Sequence, residues 1–91
     1  MVAKGIAYQP TKLSVPGGGQ VRISFENQDA GIPHNIHVFK GTDASAPTLF
    51  TGQIVTGPTT TVYTFPAPAP GTYFFHCDVH PTQMMGTLTV T

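Results

Sequence analysis

A β-sandwich of seven or eight short strands is the fold class this sequence predicts, and two observations predict it. Its 91 residues include 10 Gly and 9 Pro, so no window holds the i, i+3, i+4, i+7 apolar stripe of a helix free of breakers. Between the breakers lie short stretches rich in Val, Ile, Thr, Phe and Tyr in which apolar and polar residues alternate, the pattern of a half-buried strand. At this length the chain makes one domain, residues 1–91, because each half alone would fall below the size that folds unaided.

Taken in order, strands are expected near residues 3–8, 11–15, 20–26, 34–40, 50–55, 59–65, 71–77 and 86–91. The clearest is Gln20–Glu26, where Val21, Ile23 and Phe25 take one face and polar residues the other. The preceding Gly17-Gly18-Gly19 reads as a hairpin turn. Pro66-Ala67-Pro68-Ala69-Pro70-Gly71 forces a corner before the penultimate strand. In the last strand Gly86, Leu88 and Val90 share a face opposite Thr87, Thr89 and Thr91. Phe25, Phe65, Tyr73 and Phe75 are expected in the core.

Composition excludes several function classes. Net charge is +0 and only 9% of residues are charged, so charge-driven disorder is out. Lys4, Lys12, Arg22 and Lys40 are scattered rather than clustered, which leaves no basic stripe for a nucleic acid. The stretch between Asp43 and Asp78 lacks charge but is crowded with Pro, Gly and Thr, so no transmembrane helix is expected. No signal peptide is legible either, because Ile6-Ala7-Tyr8 is soon broken by Pro10. Glu26, Asp29, Asp43 and Asp78 show no catalytic spacing, and neither a Gly-x-Ser-x-Gly elbow nor a phosphate loop is present. The lone Cys77 permits no internal disulfide.

That cysteine begins a loop dense in soft donors: Cys77-x-x-His80, then Met84 and Met85. His34 supplies another donor where a loop enters a strand, and it shares parity with Ile36 and Val38. Cys77 shares parity with Tyr73 and Phe75, and Met84 with Gly86, Leu88 and Val90. Four donors are therefore expected to meet at one end of the sandwich, with Met85 facing outward. A thiolate and a thioether suit Cu(I), while imidazole suits both copper oxidation states. Zinc accepts the same Cys and His donors and is the competing metal. His37 and His76 have the opposite parity and are expected to face solvent.

Pro33-His34-Asn35, Gly71-Thr72-Tyr73-Phe74-Phe75-His76-Cys77, Cys77-x-x-His80 and Met84-x-Gly86-Thr87-Leu88 together resemble the cupredoxins, the small blue copper proteins of the plastocyanin, azurin and amicyanin kind, over nearly the whole chain. The resemblance implies a Greek-key sandwich holding one copper ion, with His34, Cys77 and His80 as equatorial ligands. It implies Met84 as a weak axial ligand, two residues before the glycine that opens the last strand, whereas plastocyanin-like loop lengths select Met85. Around the metal, Asn35 would tie the two ligand loops together, and the Pro33 carbonyl would lie opposite the methionine. An apolar patch of Ile32, Pro33, Pro81 and Met85 around the edge of His80 would receive electrons from a transient redox partner, with His76 a lateral route from Cys77.

The function so implied is an electron carrier between a donor and an acceptor, not an enzyme, working outside the cytoplasm in the periplasm or at an outer membrane surface. Met1-Val2 would then stand where a signal or anchor belongs. The rival readings are a copper-delivery protein and a cupredoxin domain cut from a larger membrane-bound oxidase or reductase.

Overall fold

The computed structural model describes residues Met1–Thr91. Its strands are β1 (Val2–Ala3), β2 (Tyr8–Gln9), β3 (Lys12–Val15), β4 (Gln20–Asn27), β5 (Pro33–His34), β6 (His37–Phe39), β7 (Thr48–Thr51), β8 (Val55–Thr56), β9 (Thr59–Pro66), β10 (Gly71–His76) and β11 (Met85–Val90). They form a four-stranded sheet of order β2-β1-β4-β9, a five-stranded sheet of order β3-β11-β10-β6-β7, and a small β5-β8 ribbon. Pairing is antiparallel except for β1 with β4 and β3 with β11. No α-helix forms, so none is long and apolar enough to cross a membrane.

Alternation builds the two inner faces. β4 buries Val21, Ile23, Phe25 and Asn27 in strict turn, and pairs along its whole length with β9, which contributes Tyr63 and Phe65. From the other sheet come Val38, Phe75, Leu88 and Val90, all essentially buried. Each such aromatic or aliphatic side chain stabilises the fold by about 1.5–3 kcal/mol. Gly86 lets β10 and β11 close up: a Cβ there would lie 2.5 Å from Phe75 Cζ and nearer still to the Thr11 carbonyl oxygen. Cys77 and Met84 belong to this same core, so the donor-rich end of the sandwich is continuous with it.

Five expectations are corrected. Gly17-Gly18-Gly19 does not close a hairpin, because β3 lies in the five-stranded sheet and β4 in the other; the glycines carry the chain across the sandwich, with Gly18 at φ 82°. The first predicted strand is two short pieces folded back on each other, Val2 opposite Gln9, around a turn at Gly5 and Ile6. The strand expected over 34–40 breaks at Asn35 and Ile36, where alternation fails because His34, Asn35 and Ile36 are all fully buried. The 50–55 segment likewise divides between β7 and β8. Tyr73 is only half-buried, its hydroxyl donating to Ala69 O at 2.5 Å to brace the proline-rich corner.

Candidate metal centre

Two chain segments bring the donors together. The first leaves β4 at Asn27, whose buried amide donates to Ile32 O at 2.8 Å and to Val55 O at 3.0 Å. Its Oδ1 accepts the Asp29 N–H at 2.9 Å, an Asx turn. This fixes the run into β5 and presents His34 inward, fully buried. The second leaves β10 at Cys77 and returns through Met84. That loop is stitched by Cys77 N–H to Met84 O at 3.0 Å and by Met84 N–H to His80 O at 3.0 Å.

At their meeting point Cys77 Sγ lies 3.9 Å from His34 Nδ1 and 3.9 Å from His80 Nδ1. The two imidazole rings lie 4.9 Å apart between centroids, tilted at 59° to each other. Cys77, His34 and Met84 are fully buried, while His80 is half-buried and reaches the surface. Met84 is at 0% exposure and Met85 at 46%, the inward and outward orientations that strand parity predicts. Met85 lines a shallow hollow on the outer sheet face with Thr11, Lys12, Phe74, Gly86 and Thr87.

Asn35 is fully buried and straps the segments together. Its Oδ1 accepts the Asp78 N–H at 2.9 Å, and its Nδ2 donates to Asp78 Oδ2 at 2.9 Å and to Gly52 O at 3.0 Å. The Tyr8 hydroxyl donates to the Asn35 carbonyl. Burial raises the Asp78 carboxyl pKa, but hydrogen bonds from Asn35, His37 and His76 outweigh it and leave the group below its ordinary value.

Sequence reasoning gave no role to Asp29, which positions His34. Its Oδ2 lies 2.7 Å from His34 Nε2, while the carboxylate also accepts Gly5 N–H at 2.7 Å and Ile6 N–H at 3.0 Å. Those successive N–H groups form a small anion-gripping turn. Ile6 sits at φ 54°, strained for a β-branched residue, and its N–H is spent on the carboxylate. The Ile6 N–H first, then His34, hold the Asp29 pKa down to about 2. With an ionised acceptor facing Nε2, the His34 proton sits on Nε2 and Nδ1 turns a free lone pair toward Cys77. The Asn27-x-Asp29 pattern was the signal available in the sequence.

His37 and His76 do not simply face solvent. His76 is 9% exposed, and both rings converge on Asp78 Oδ1, at 2.7 Å from His37 Nδ1 and 3.1 Å from His76 Nε2.

The family model of the cupredoxin-like domain matches residues 1–90. This chain belongs to the cupredoxin-like family. Among its relatives, auracyanin-A of Chloroflexus aurantiacus is 31% identical over 93% of this chain and 67% of its own length. Auracyanin-B of the same organism is 33% identical over 94% of this chain, which spans only 48% of that relative. Among solved structures, auracyanin A, described as a "blue" copper protein, superposes with a TM-score of 0.87 at 29% identity, covering 99% of this cupredoxin and 94% of that chain. Auracyanin from Roseiflexus castenholzii gives 0.82 at 28% identity over 93% and 87% of the two chains. An amicyanin variant in its Cu(I) form gives 0.72 at 26% over 99% and 78%. The sandwich topology and the resemblance stated from the motifs therefore agree.

Proposed function

We propose that this cupredoxin binds one copper ion through His34 Nδ1, Cys77 Sγ and His80 Nδ1, with Met84 as a weak axial ligand, and carries single electrons between redox partners. The observation that carries this reading is one thiol sulfur 3.9 Å from each of two imidazole Nδ1 atoms. With metal–sulfur and metal–nitrogen bonds near 2.3 and 2.0–2.1 Å, sulfur and nitrogen on one ion are about 3.8 Å apart in a trigonal arrangement and about 3.6 Å in a tetrahedral one. The donors stand near the spacing that one shared ion requires, and a thiolate, a thioether and two imidazoles make a donor set that suits copper of the blue type. Zinc remains a substitute for the same donors.

When bound, copper supplies a one-electron Cu(I)/Cu(II) couple. The residues provide the rest. Asp29 fixes the His34 tautomer, and Asn35 holds the Asp78 end of the cysteine loop against the His34 segment. Burial of Cys77, His34 and Met84 excludes water. Donors held this firmly rearrange little between oxidation states, which keeps the barrier to transfer low. His80, half-buried, is the exit toward a partner docking on Ile32, Pro33, Pro81 and Met85. Transient donor and acceptor proteins, a location outside the cytoplasm and organisation as a single domain over residues 1–91 belong to the same proposal.

Voltammetry of the copper-loaded protein tests it. A reversible one-electron wave with copper retained over repeated cycles is expected. Copper lost to an acceptor protein on each reduction would overturn the carrier reading in favour of delivery.

A further inference from the structure

We propose that His37, His76 and Asp78 form a second metal site, for a borderline divalent cation of the zinc class, on the outer face of the five-stranded sheet. His37 on β6 and His76 on β10 are register partners. The neighbouring pair Phe75 and Val38 points into the core, so the two imidazoles leave the opposite face side by side. Asp78, just beyond β10, folds back over them with one oxygen, Oδ1, shared between both rings.

The donor set is two imidazole nitrogens and one carboxylate oxygen, a combination that zinc takes with an open fourth position. Its three donor atoms lie within 4.8 Å of one another. Nitrogen and oxygen ligands on one tetrahedral zinc stand about 3.4 Å apart, against the 2.7 and 3.1 Å seen here. Binding therefore requires the two spacings to open by about 0.7 and 0.3 Å, through movement of the Asp78 carboxylate. Side-chain exposures of 15% for His37, 11% for His76 and 32% for Asp78 leave the cluster open to an ion from solution.

The surroundings hold the rings in place before any ion arrives. Phe39 stacks on His37 at 4.1 Å and meets His76 edge-on at 4.9 Å, and Phe74 flanks His76 at 5.8 Å. Thr48 Oγ1 lies 2.9 Å from His37 Nε2. A hydroxyl both donates and accepts. With Nδ1 protonated toward Asp78, Thr48 donates to Nε2; with Nδ1 on a metal, Nε2–H donates to Thr48. The same threonine thus serves the metal-free and the metal-bound tautomer, the outer partner that a ligating histidine needs.

The test is a titration of the 91-residue chain with Zn(II) alone, read by the imidazole 15N resonances, which separate the two centres whatever happens at the first. One set of shifts at His34 and His80 reports the thiolate centre. A second saturating set at His37 Nδ1 and His76 Nε2 is the result expected. His76→Gln should abolish the His37 shift, His37→Gln should abolish that of His76, and Thr48→Val should weaken zinc about 10–100-fold at this site only. Shifts confined to His34 and His80, or a His37 shift that survives His76→Gln, would overturn the assignment.

Discussion

Replacing Asp29 with Asn isolates the role of one carboxylate. In the native chain three donors converge on Asp29: the Gly5 and Ile6 N–H groups and His34 Nε2, at 2.7, 3.0 and 2.7 Å. Asparagine keeps one oxygen and turns the other position into a donor. With the oxygen kept on the Gly5 N–H, the new amide N–H takes the Oδ2 position, against both the Ile6 N–H and His34 Nε2, and His34 then accepts and surrenders its proton to Nδ1. Nδ1 is the atom 3.9 Å from Cys77 Sγ, so the substitution blocks a ligand without touching it. Loss of such an outer partner costs about 10–100-fold in metal affinity, or about 1.4–2.7 kcal/mol. Copper affinity measured by chelator competition should fall by that factor in Asp29→Asn, and the His34 15N spectrum of the metal-free protein should change tautomer. Acid stability provides a second readout. Because the folded carboxyl titrates at about 2 against an ordinary 3.8, its stabilisation is present above the ordinary value and disappears as pH falls toward 2. Asp29→Asn should lose that part of the acid dependence. Native affinity together with an unchanged tautomer would refute the reasoning.

Other substitutions probe separate parts of the account. Asn35→Ala strands the Asp78 N–H and the Gly52 carbonyl, at about 1–3 kcal/mol for each buried group, so a lower denaturation midpoint and weaker copper binding are expected together; an unchanged midpoint would contradict the strap. Gly86→Ala forces a methyl against Phe75 and Thr11, and overpacking of this kind costs about 1–3 kcal/mol, to be read by urea unfolding. Met84→Gln should shift the reduction potential with copper retained, whereas Met85→Gln should leave it alone; the reverse pattern would exchange the two residues. Burial first, and then Cys77, raises the Tyr63 pKa from 10.0 to about 12. Its contribution to stability is therefore complete below pH 10 and declines as pH rises toward 12, because only the unfolded chain ionises there. Tyr63→Phe should flatten that alkaline decline.

Most of the sandwich was legible because β4 and β11 alternate cleanly, and alternation alone decides which residues face the core. The inward Met84 and outward Met85 followed from the same rule. Alternation failed where backbone groups are fastened by side chains instead of by a neighbouring strand, as at His34–Ile36, where Asn35 turns inward to bridge Gly52 and Asp78. The triglycine segment was misread because a hairpin and a crossover between sheets need the same conformational freedom; only the pairing of β3 with β11 distinguishes them. His34, Cys77 and His80 were legible as chemistry, since a thiol and imidazoles in a donor-rich loop stand out by residue type. Asp29 and the His37–His76–Asp78 cluster were not, because their partners lie on segments brought together only by folding.

The most direct test of the central claim is the addition of one equivalent of Cu(II) to the reduced, metal-free protein, followed by visible absorption and electron paramagnetic resonance, with Cys77→Ser treated alongside. An intense thiolate-to-copper charge-transfer band with narrowed hyperfine splitting in the native chain, absent from Cys77→Ser, is the predicted result. A pale spectrum of ordinary nitrogen and oxygen coordination, the same in both proteins, would contradict convergence of His34, Cys77 and His80 on one copper ion.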